Sequence, residues 1–292
     1  MKTRSFLKKG AGILILLLTF FILLTVLFIL NEIKRKTFPQ KPHEQILHRY
    51  IPQAEKKSTP EIDLKKFGSI GKIVLIVDDV GWNPDIVARV RKINIPLTLA
   101  ILPDSPFGLR IAQQISKDKK IDAILHIPLE PENSGYETNI SHAYITTDMS
   151  DSEIREKVNQ YIEKFRPYIS GINNHMGSKF TADKQKMEVL LQEIKGKKLT
   201  YIDSLTSTKS VGYRLSKQMG IPALKRDIFI DNSSDYLEIW KNLEAAAKMS
   251  ETKSTVIAIG HARPTTLKVI EEKIPELISQ GYQFVLIKEV IQ

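Results

Sequence analysis

The chain has 292 residues, 42% of them hydrophobic, which suits one large α/β domain with accessory segments and excludes disorder throughout. It contains no cysteine, which excludes a disulfide framework, a thiolate metal site and a cysteine nucleophile. The net charge of +10 lies mostly in residues 1–67, which contain 13 Lys and Arg but only 5 Asp and Glu. The remainder of the chain contains 30 Lys and Arg and 28 Asp and Glu.

The first predicted element is an apolar segment over residues 10–30, which carries no charge over 21 residues and is long enough to cross a bilayer as a helix. A cleavable signal peptide would have a shorter apolar core and small residues at its cleavage site. We therefore predict an uncleaved, single-pass signal anchor. The alternative, a buried core helix, would need a domain at this terminus to cover it.

The charges around this segment predict its orientation. Residues 1–9 form a basic tail with four Lys and Arg, which the positive-inside rule places in the cytoplasm, although the basic residues 34–36 weaken the asymmetry. We therefore expect membrane localisation, with the rest of the chain extracytoplasmic. The basicity indicates a membrane partner and not a nucleic-acid partner.

Residues 31–69 are polar and contain four prolines, which predicts a linker to a domain over residues 70–292. In that domain strand-like and helical patterns alternate, which predicts a parallel sheet, either doubly wound or closed into a barrel. The predicted strands are Lys72–Asp78, Pro96–Leu102, Ile121–His126, Gly171–Asn174, Leu199–Asp203, a weaker Ala223–Ile230, Ser254–Gly260 and Gln283–Ile287. The predicted helices are Pro84–Ile93, Phe107–Lys117, Asp151–Phe165 with a capping box at Ser150 and Glu153, Ala182–Ile194, Ser210–Met219, Tyr236–Met249 and Thr266–Ser279.

Four predicted strands end at side chains that carry chemistry. The first ends on Asp78 with Asp79 beside it, and three others end on or just before His126, His175 and His261. Because the carboxyl ends of parallel strands meet at one edge or one barrel mouth, we expect these groups to lie together. Singly, each has a plainer interpretation as a loop or helix-capping residue. Their joint occurrence favours a functional site.

The residue types fit a hydrolytic metal centre. Zinc in catalytic sites commonly takes three His or carboxylate ligands and leaves a position for a water, whose pKa falls to about 7. Asp79, His126 and His175 supply such a set. A divalent metal, zinc before others, is the expected cofactor.

The two adjacent carboxylates have different predicted roles. Side by side they repel each other, and a divalent cation relieves that repulsion by binding one of them. Neighbouring strand residues point to opposite faces, so Asp78 and Asp79 share a site only where the chain turns, which Gly81 permits. Asp78 would then be the general base and His261 the general acid.

These residues lie in motifs that resemble the divergent polysaccharide deacetylases related to the NodB-type carbohydrate esterases. The resemblance covers about residues 70–292 and rests on IVDDVG, LHIPLEP, GINNHMGSKFT, YIDSLTS, RDIFIDN and IGHARP. It implies a distorted, seven- to eight-stranded parallel (β/α) barrel, a divalent metal such as Zn2+, and deacetylation of an acetylated glycan. By this resemblance Asp78 is the base, Asp79, His126 and His175 are the metal ligands, and His261 is the acid.

Some positions depart from the main family pattern. That pattern has two metal histidines in one H-x-x-x-H segment, but here the second place holds Glu130. His175 is therefore the expected second histidine, and Glu130 is an alternative ligand or a structural residue. The arginine that the family keeps beside its catalytic Asp is matched by Arg226. Asp227 or Asp231 is the expected partner that orients the acid.

Further polar and aromatic residues are candidates for substrate contacts. Trp82 is a candidate for stacking on a sugar ring or for covering the barrel end. Arg263 is a candidate for binding an anionic sugar, with plain solvation as the alternative. The remaining candidates are Asn173, Asn174 and Ser178, for which loop closure is the alternative, and Asp203, which follows a strand end and would line the groove.

The sequence thus predicts a membrane-anchored, extracytoplasmic, metal-dependent hydrolase that deacetylates a cell-envelope or exported glycan. One alternative is a catalytically silent glycan-binding or envelope-scaffold protein that keeps the barrel. Another is a receiver-like phosphoacceptor domain, which the acidic pair suggests. The phosphorylated Asp of such a domain would end the third strand, where this chain has His126. That position disfavours the receiver-like alternative.

Overall fold

The computed structural model of the protein describes residues 70–133 and 138–291, together with positions 20, 23, 25 and 26. The predicted basic tail, signal anchor and linker therefore lie outside the described residues, apart from those four positions. Among the residues described, no helix combines the length and the apolar character that crossing a bilayer requires. All elements below belong to one structural unit.

Strands and helices alternate along the chain, as predicted. The strands are β1 (Gly71–Val80), β2 (Leu97–Ile101), β3 (Ile121–Leu129), β4 (Gly171–Met176), β5 (Thr200–Asp203), β6 (Ala223–Lys225), β7 (Ile228–Phe229), β8 (Thr255–His261) and β9 (Tyr282–Phe284). The helices are α1 (Ile86–Ile93), α2 (Gly108–Ile115), α3 (Asp151–Phe165), α4 (Lys184–Gly196), α5 (Gly212–Gln218), α6 (Tyr236–Lys253) and α7 (Pro264–Ser279). Short 3-10 helices span Thr138–Ala143, Arg166–Tyr168, Phe180–Ala182 and Ile287–Glu289.

Helix α3 begins and ends where the sequence predicts. The Ser150 hydroxyl accepts a hydrogen bond from the Glu153 amide at 3.3 Å, and the Glu153 carboxylate accepts one from the Ser150 amide at 2.7 Å. This is the predicted capping box, which satisfies two amides that a helix otherwise leaves unpaired.

The sheet is parallel and curled. Its strand order is β6-β5-β4-β3-β2-β1-β8-β7, with β9 on the amino end of β1. The predicted strand Ala223–Ile230 is divided, because β6 pairs with β5 whereas β7 pairs with β8. At the division the amides of Arg226 and Asp227 donate to the carbonyls of Asp203 and Ile257, each at 2.9 Å. One segment therefore contacts both edges of the sheet, which curls toward a barrel and is not an open, doubly wound sheet.

The two faces of the sheet have separate apolar cores. Along β1, Leu75 and Val77 pack with the outer helices, whereas Val74 and Ile76 pack inside the curl. The inner core also contains Ala100, Ile124, Ile202, Ile257, Ile259, Val285 and Ile287. Strand alternation then places Asp78 on the inner face, at the carboxyl end of this apolar interior.

Candidate metal centre

A bulge brings the two adjacent carboxylates of β1 to one site. The strand continues to Val80, and its register with β2 shifts between Val77 and Val80. Within that shift Asp79 has a left-handed backbone with φ of 60°. Such a bulge redirects a side chain that strict alternation would send to the opposite face. The bulge at Asp79, and not the predicted turn at Gly81, is therefore what lets Asp78 and Asp79 share a site.

Gly81 is required for a different reason. Its φ is +140°, and a Cβ at this position would lie 1.8 Å from the Ser105 hydroxyl oxygen. Its carbonyl accepts a hydrogen bond from the amide of Phe107 at 3.0 Å. A side chain here would therefore push apart the two connections that follow β1 and β2.

Three side chains from β1, β3 and β4 converge on one point. Asp79 Oδ1 lies 3.2 Å from His126 Nε2 and 3.0 Å from His175 Nδ1, and these two nitrogens are 3.2 Å apart. Within the described part of the chain, these residues form the His and carboxylate group that could hold a metal ion. The two histidines are 2% and 5% exposed. The structure thus brings together the three predicted ligands.

The spacing of the three donor atoms fits a tetrahedral divalent centre. With bonds of about 2.0–2.1 Å, the ligand atoms of a tetrahedral zinc ion lie about 3.3 Å from one another. The observed separations are 3.0 to 3.2 Å. One carboxylate and two imidazoles are also a donor set that zinc accepts while a fourth position stays open. Burial alone would raise the pKa of Asp79, but hydrogen bonds and charge from the two histidines hold that pKa well below its ordinary value.

Asn173 links His126, a predicted metal ligand, to Asp78, the predicted base. Its Oδ1 accepts a hydrogen bond from His126 Nδ1 at 2.8 Å, and its Nδ2 donates to Asp78 Oδ1 at 2.9 Å. In the neutral ring that a metal ligand requires, a proton on His126 Nδ1 leaves the lone pair on Nε2, the atom that faces Asp79. The sequence placed Asn173 only among candidates for substrate contacts. The signal that points to this role is alternation along β4, which puts Asn173 on the same face as His175.

Asp78 lies beside the three donor atoms, in a buried environment. It is 2% exposed, and its Oδ2 lies 3.7 Å from His126 Nε2. In the β1–β8 register it pairs directly with His261. Burial raises the pKa of the Asp78 carboxyl above its ordinary value, although the charges of His126 and His261 oppose that rise. A carboxylate with a raised pKa is suited to accepting a proton near neutral pH.

Asp231 orients His261. One carboxylate oxygen accepts from His261 Nδ1 at 2.8 Å, and the other accepts from the His261 amide at 2.8 Å and the Thr266 hydroxyl at 2.7 Å. Burial alone would lower the pKa of His261. The hydrogen bond to Asp231 and the charges of Asp79 and Asp78 outweigh burial and raise that pKa above its ordinary value. Of the two predicted partners of the acid, Asp231 is the one in contact.

Arg226 packs on the ring of Phe229, which in turn packs on His261. Its guanidinium carbon lies 3.8 Å from the ring centroid of Phe229. The Phe229 ring stacks on His261, with centroids 5.7 Å apart and 22° between the planes. Arg226 also donates to two carbonyls of the loop after β5, at 2.7 and 2.8 Å, and its charge interacts with Asp78. Phe229 was not a predicted site residue, although it lies within the RDIFIDN motif.

Glu130 lies outside the group of three donor atoms. Its carboxylate accepts hydrogen bonds from the amide and hydroxyl of Thr147, at 2.7 and 2.6 Å, and from the Lys179 ammonium at 2.7 Å. Burial alone would raise the pKa of Glu130, but these hydrogen bonds lower it. The contacts favour the structural interpretation of Glu130 over the alternative that it is a metal ligand.

Four other candidate residues bind backbone groups around the site. The side chains of Asn174, Ser178, Asp203 and Asp227 accept hydrogen bonds from the amides of Ser204, Glu132, Leu205 and Ile257, at 2.9, 2.7, 2.9 and 2.9 Å respectively. The first three contacts hold the connections that follow β3 and β5, and the fourth joins Asp227 to β8. For Asn174 and Ser178 these contacts favour loop closure, the alternative to substrate contact.

Comparison with known families gives one match over most of the chain. The family model described as divergent polysaccharide deacetylase matches residues 75–291. The matched residues include all six motifs on which the resemblance rested, which confirms it.

Individual relatives share this region. An uncharacterized protein of Haemophilus influenzae is 32% identical over 200 residues, which are 68% of this chain and 70% of the relative. The uncharacterized protein YibQ of Escherichia coli is 29% identical over 208 residues, which are 71% of this chain. Those residues are 63% of YibQ, so the match spans less than two thirds of its length.

A solved structure has a similar fold. The crystal structure of an uncharacterized protein from Agrobacterium tumefaciens matches with a TM-score of 0.67 at 19% identity, over 75% of this chain and 89% of that chain. At this identity the similarity shows a shared fold alone.

Proposed function

Since this chain belongs to the divergent polysaccharide deacetylase family, we propose that it is a metal-dependent hydrolase that removes acetyl groups from a carbohydrate. The proposed metal is zinc, and the proposed substrate is a cell-envelope or exported glycan. The observation that carries the proposal is the group of Asp79, His126 and His175, with donor atoms 3.0 to 3.2 Å apart. This group lies beside the buried carboxylate of Asp78, whose charge interacts with that of His261.

Two side chains beside the centre, Asp78 and His261, each carry out one proton transfer of this reaction. A divalent cation held by Asp79, His126 and His175 would polarise the acetyl carbonyl and lower the pKa of a water. Asp78 accepts the proton of the attacking water, and Asn173 holds its carboxylate in place through Oδ1. His261 protonates the departing nitrogen or oxygen. Because its Nδ1 is bonded to Asp231, the ring keeps Nε2 for that proton.

Replacing Asn173 with Asp separates its two contacts. The new carboxylate keeps an acceptor for His126 Nδ1 but loses the donor to Asp78 and adds a like charge beside it. We expect about native zinc affinity, with acetate release slower by about 10-fold or more. Replacing Asn173 with Ala loses both contacts and should also weaken zinc binding by about 10- to 100-fold. Chelator competition and acetate release measure the two effects.

The matched control is Asn174→Asp, one residue along β4, where the side chain bonds to the loop after β5 and to Met176. Zinc affinity should stay native in this variant. If Asn173→Asp and Asn173→Ala weaken zinc binding equally, the contact with His126 is not what Asn173 contributes.

Replacing Asp231 with Asn should move the alkaline limit of activity to lower pH. His261 must be protonated to act as an acid, so the rate falls as pH rises through its pKa, which Asp231 helps to raise. Loss of that negative charge lowers the pKa of His261, and the alkaline limb of kcat/KM against pH shifts down. If the alkaline limb does not shift in this variant, His261 is not the general acid.

We also propose that residues 10–30 anchor the chain in a membrane, that residues 31–69 are a linker, and that residues 70–292 lie outside the cytoplasm. This placement would give the domain access to an exported glycan. Protease added to intact spheroplasts should digest the domain, and protection until lysis would contradict the placement.

Acetate release from acetylated chito-oligosaccharides or peptidoglycan by the full chain tests the proposed activity. Release is the expected result. Sugar binding without release would instead favour the catalytically silent glycan-binding protein.

A further inference from the structure

A cavity of about 260 Å³ adjoins the candidate metal centre. It lies between the β1–α1 connection and the β8–α7 connection, and both Asp79 and His261 line it. Its volume is near the lower end for ligand pockets, which run from about 300 to 1,000 Å³. A group bound there would be close enough to the reactive acetyl to belong to the same substrate.

The β1–α1 wall of the cavity presents an exposed aromatic ring. Trp82 is 41% exposed, and across residues 70–133 and 138–291 the other Trp, Tyr and Phe side chains are buried or half-buried. Val80, Ile86 and Leu267 line the cavity with it. An indole face beside aliphatic side chains offers the kind of flat apolar surface on which the C–H face of a pyranose ring packs.

The β8–α7 wall presents a cation whose charge is available. Arg263 has a side chain that is 49% exposed, and its Nη1 donates to the Asp231 carbonyl at 3.0 Å. Its guanidinium lies 4.0 Å from the Asp231 carboxylate, which already accepts from His261 and Thr266. One anchored nitrogen leaves further N–H groups that can bind a carboxylate.

Two further charged residues, on the opposite side of the cavity, are less suited to binding an anion. Arg89 donates to the Glu271 carboxylate at 3.4 Å, which offsets its charge. Asp85 also lines this side and would repel an anion. The cavity is therefore polarised, with its usable positive charge at Arg263.

We propose that this cavity binds a pyranose ring that carries a carboxylate, with the ring packed on Trp82 and the carboxylate bound to Arg263. The bound ring is the neighbour of the sugar whose acetyl group is removed, so the substrate is an acidic glycan. That the ligand is a glycan rests on the proposed function. The preference for an anionic ring rests on the cavity itself.

The test compares two disaccharides in the full chain carrying Asp78→Asn, so that binding is measured without turnover. One probe is N-acetylglucosaminyl-N-acetylmuramic acid, which carries a carboxylate, and the other is the neutral N,N′-diacetylchitobiose. Calorimetry should give about 10-fold tighter binding of the acidic probe. Adding Arg263→Gln should remove that preference and leave binding of the neutral probe within about twofold. Adding Trp82→Ala should weaken both probes by about 5- to 10-fold.

Arg91→Gln is the matched control. Its side chain is also 49% exposed, but it binds Asp118 away from the cavity, so both affinities should be unchanged. Equal binding of the two probes by the starting chain would overturn the proposal, as would an Arg263→Gln variant that weakens both probes equally or a Trp82→Ala variant without effect. Discrimination between the probes without acetate release in the native chain would leave this inference standing and reject the proposed activity. Acetate release without discrimination between the probes would reject this inference and leave the proposed activity standing.

Discussion

Replacing Asp78 with Asn is expected to slow acetate release by about 10²- to 10⁴-fold while the chain still binds zinc. The amide of Asn keeps an oxygen that accepts the hydrogen bond from Asn173, so the local packing is retained. It cannot accept the proton of the attacking water. Because burial already raises the pKa of this carboxyl, removing its charge should not lower the melting temperature. Acetate release, metal content and thermal unfolding of the full chain measure these effects.

Asp122→Asn is the control for Asp78→Asn. Asp122 lies at the amino end of β3, where burial also raises the pKa of its carboxyl and where Ser170 donates to it. Its replacement should leave acetate release unchanged. If Asp78→Asn keeps the native rate, the base lies elsewhere. If it loses zinc, the roles of Asp78 and Asp79 are reversed.

Replacing His175 with Ala is expected to weaken zinc binding by about 100-fold or more. The change removes one of three donor atoms, whereas loss of a residue that merely supports a ligand costs about 10- to 100-fold. Chelator competition on the full chain measures the affinity without reference to activity, and acetate release should fall in parallel.

His142→Ala is the control for His175→Ala. His142 is 70% exposed and lies near Asp104, outside the group of three donor atoms. Its replacement should leave zinc affinity unchanged. Native zinc affinity in the His175→Ala variant would show that the metal, if one is bound, is held by other residues.

The sequence predicts the members of the candidate centre because their position depends on one general property. When all strands are parallel, every carboxyl end faces the same side, and apolar runs that end near His126, His175 and His261 mark those ends. The structure bears this out in the register of β1 with β8, where Asp78 pairs with His261. Strand bounds were less predictable, since β3 and β4 extend beyond their histidines.

The sequence does not predict contacts that depend on register and bulges. Asn173 meets His126 because of the pairing of β3 with β4, and an apolar run does not specify its pairing partner. The left-handed backbone of Asp79 depends on the shifted register between β1 and β2. Glu130 shows the reverse effect, because a motif position suggested a ligand, whereas Thr147 and Lys179 occupy its carboxylate.

The division of the strand Ala223–Ile230 also has a tertiary cause. A single extended run is what its side-chain pattern predicts, but the segment passes from β5 to β8 as the sheet curls. That passage brings Phe229 beside His261 and Arg226 beside Phe229. The contact of Phe229 with His261 depends on this tertiary arrangement, and hydrophobic periodicity in the sequence does not predict it.

The metal dependence of acetate release from acetylated chito-oligosaccharides and peptidoglycan is the most direct test of the proposed activity. The full chain would be assayed after zinc loading, after chelation and after zinc is restored. We predict release by the zinc-loaded chain, loss of release on chelation, and recovery when zinc returns. Glycan binding by the zinc-loaded chain with no acetate released, or release that chelation leaves unchanged, would contradict it.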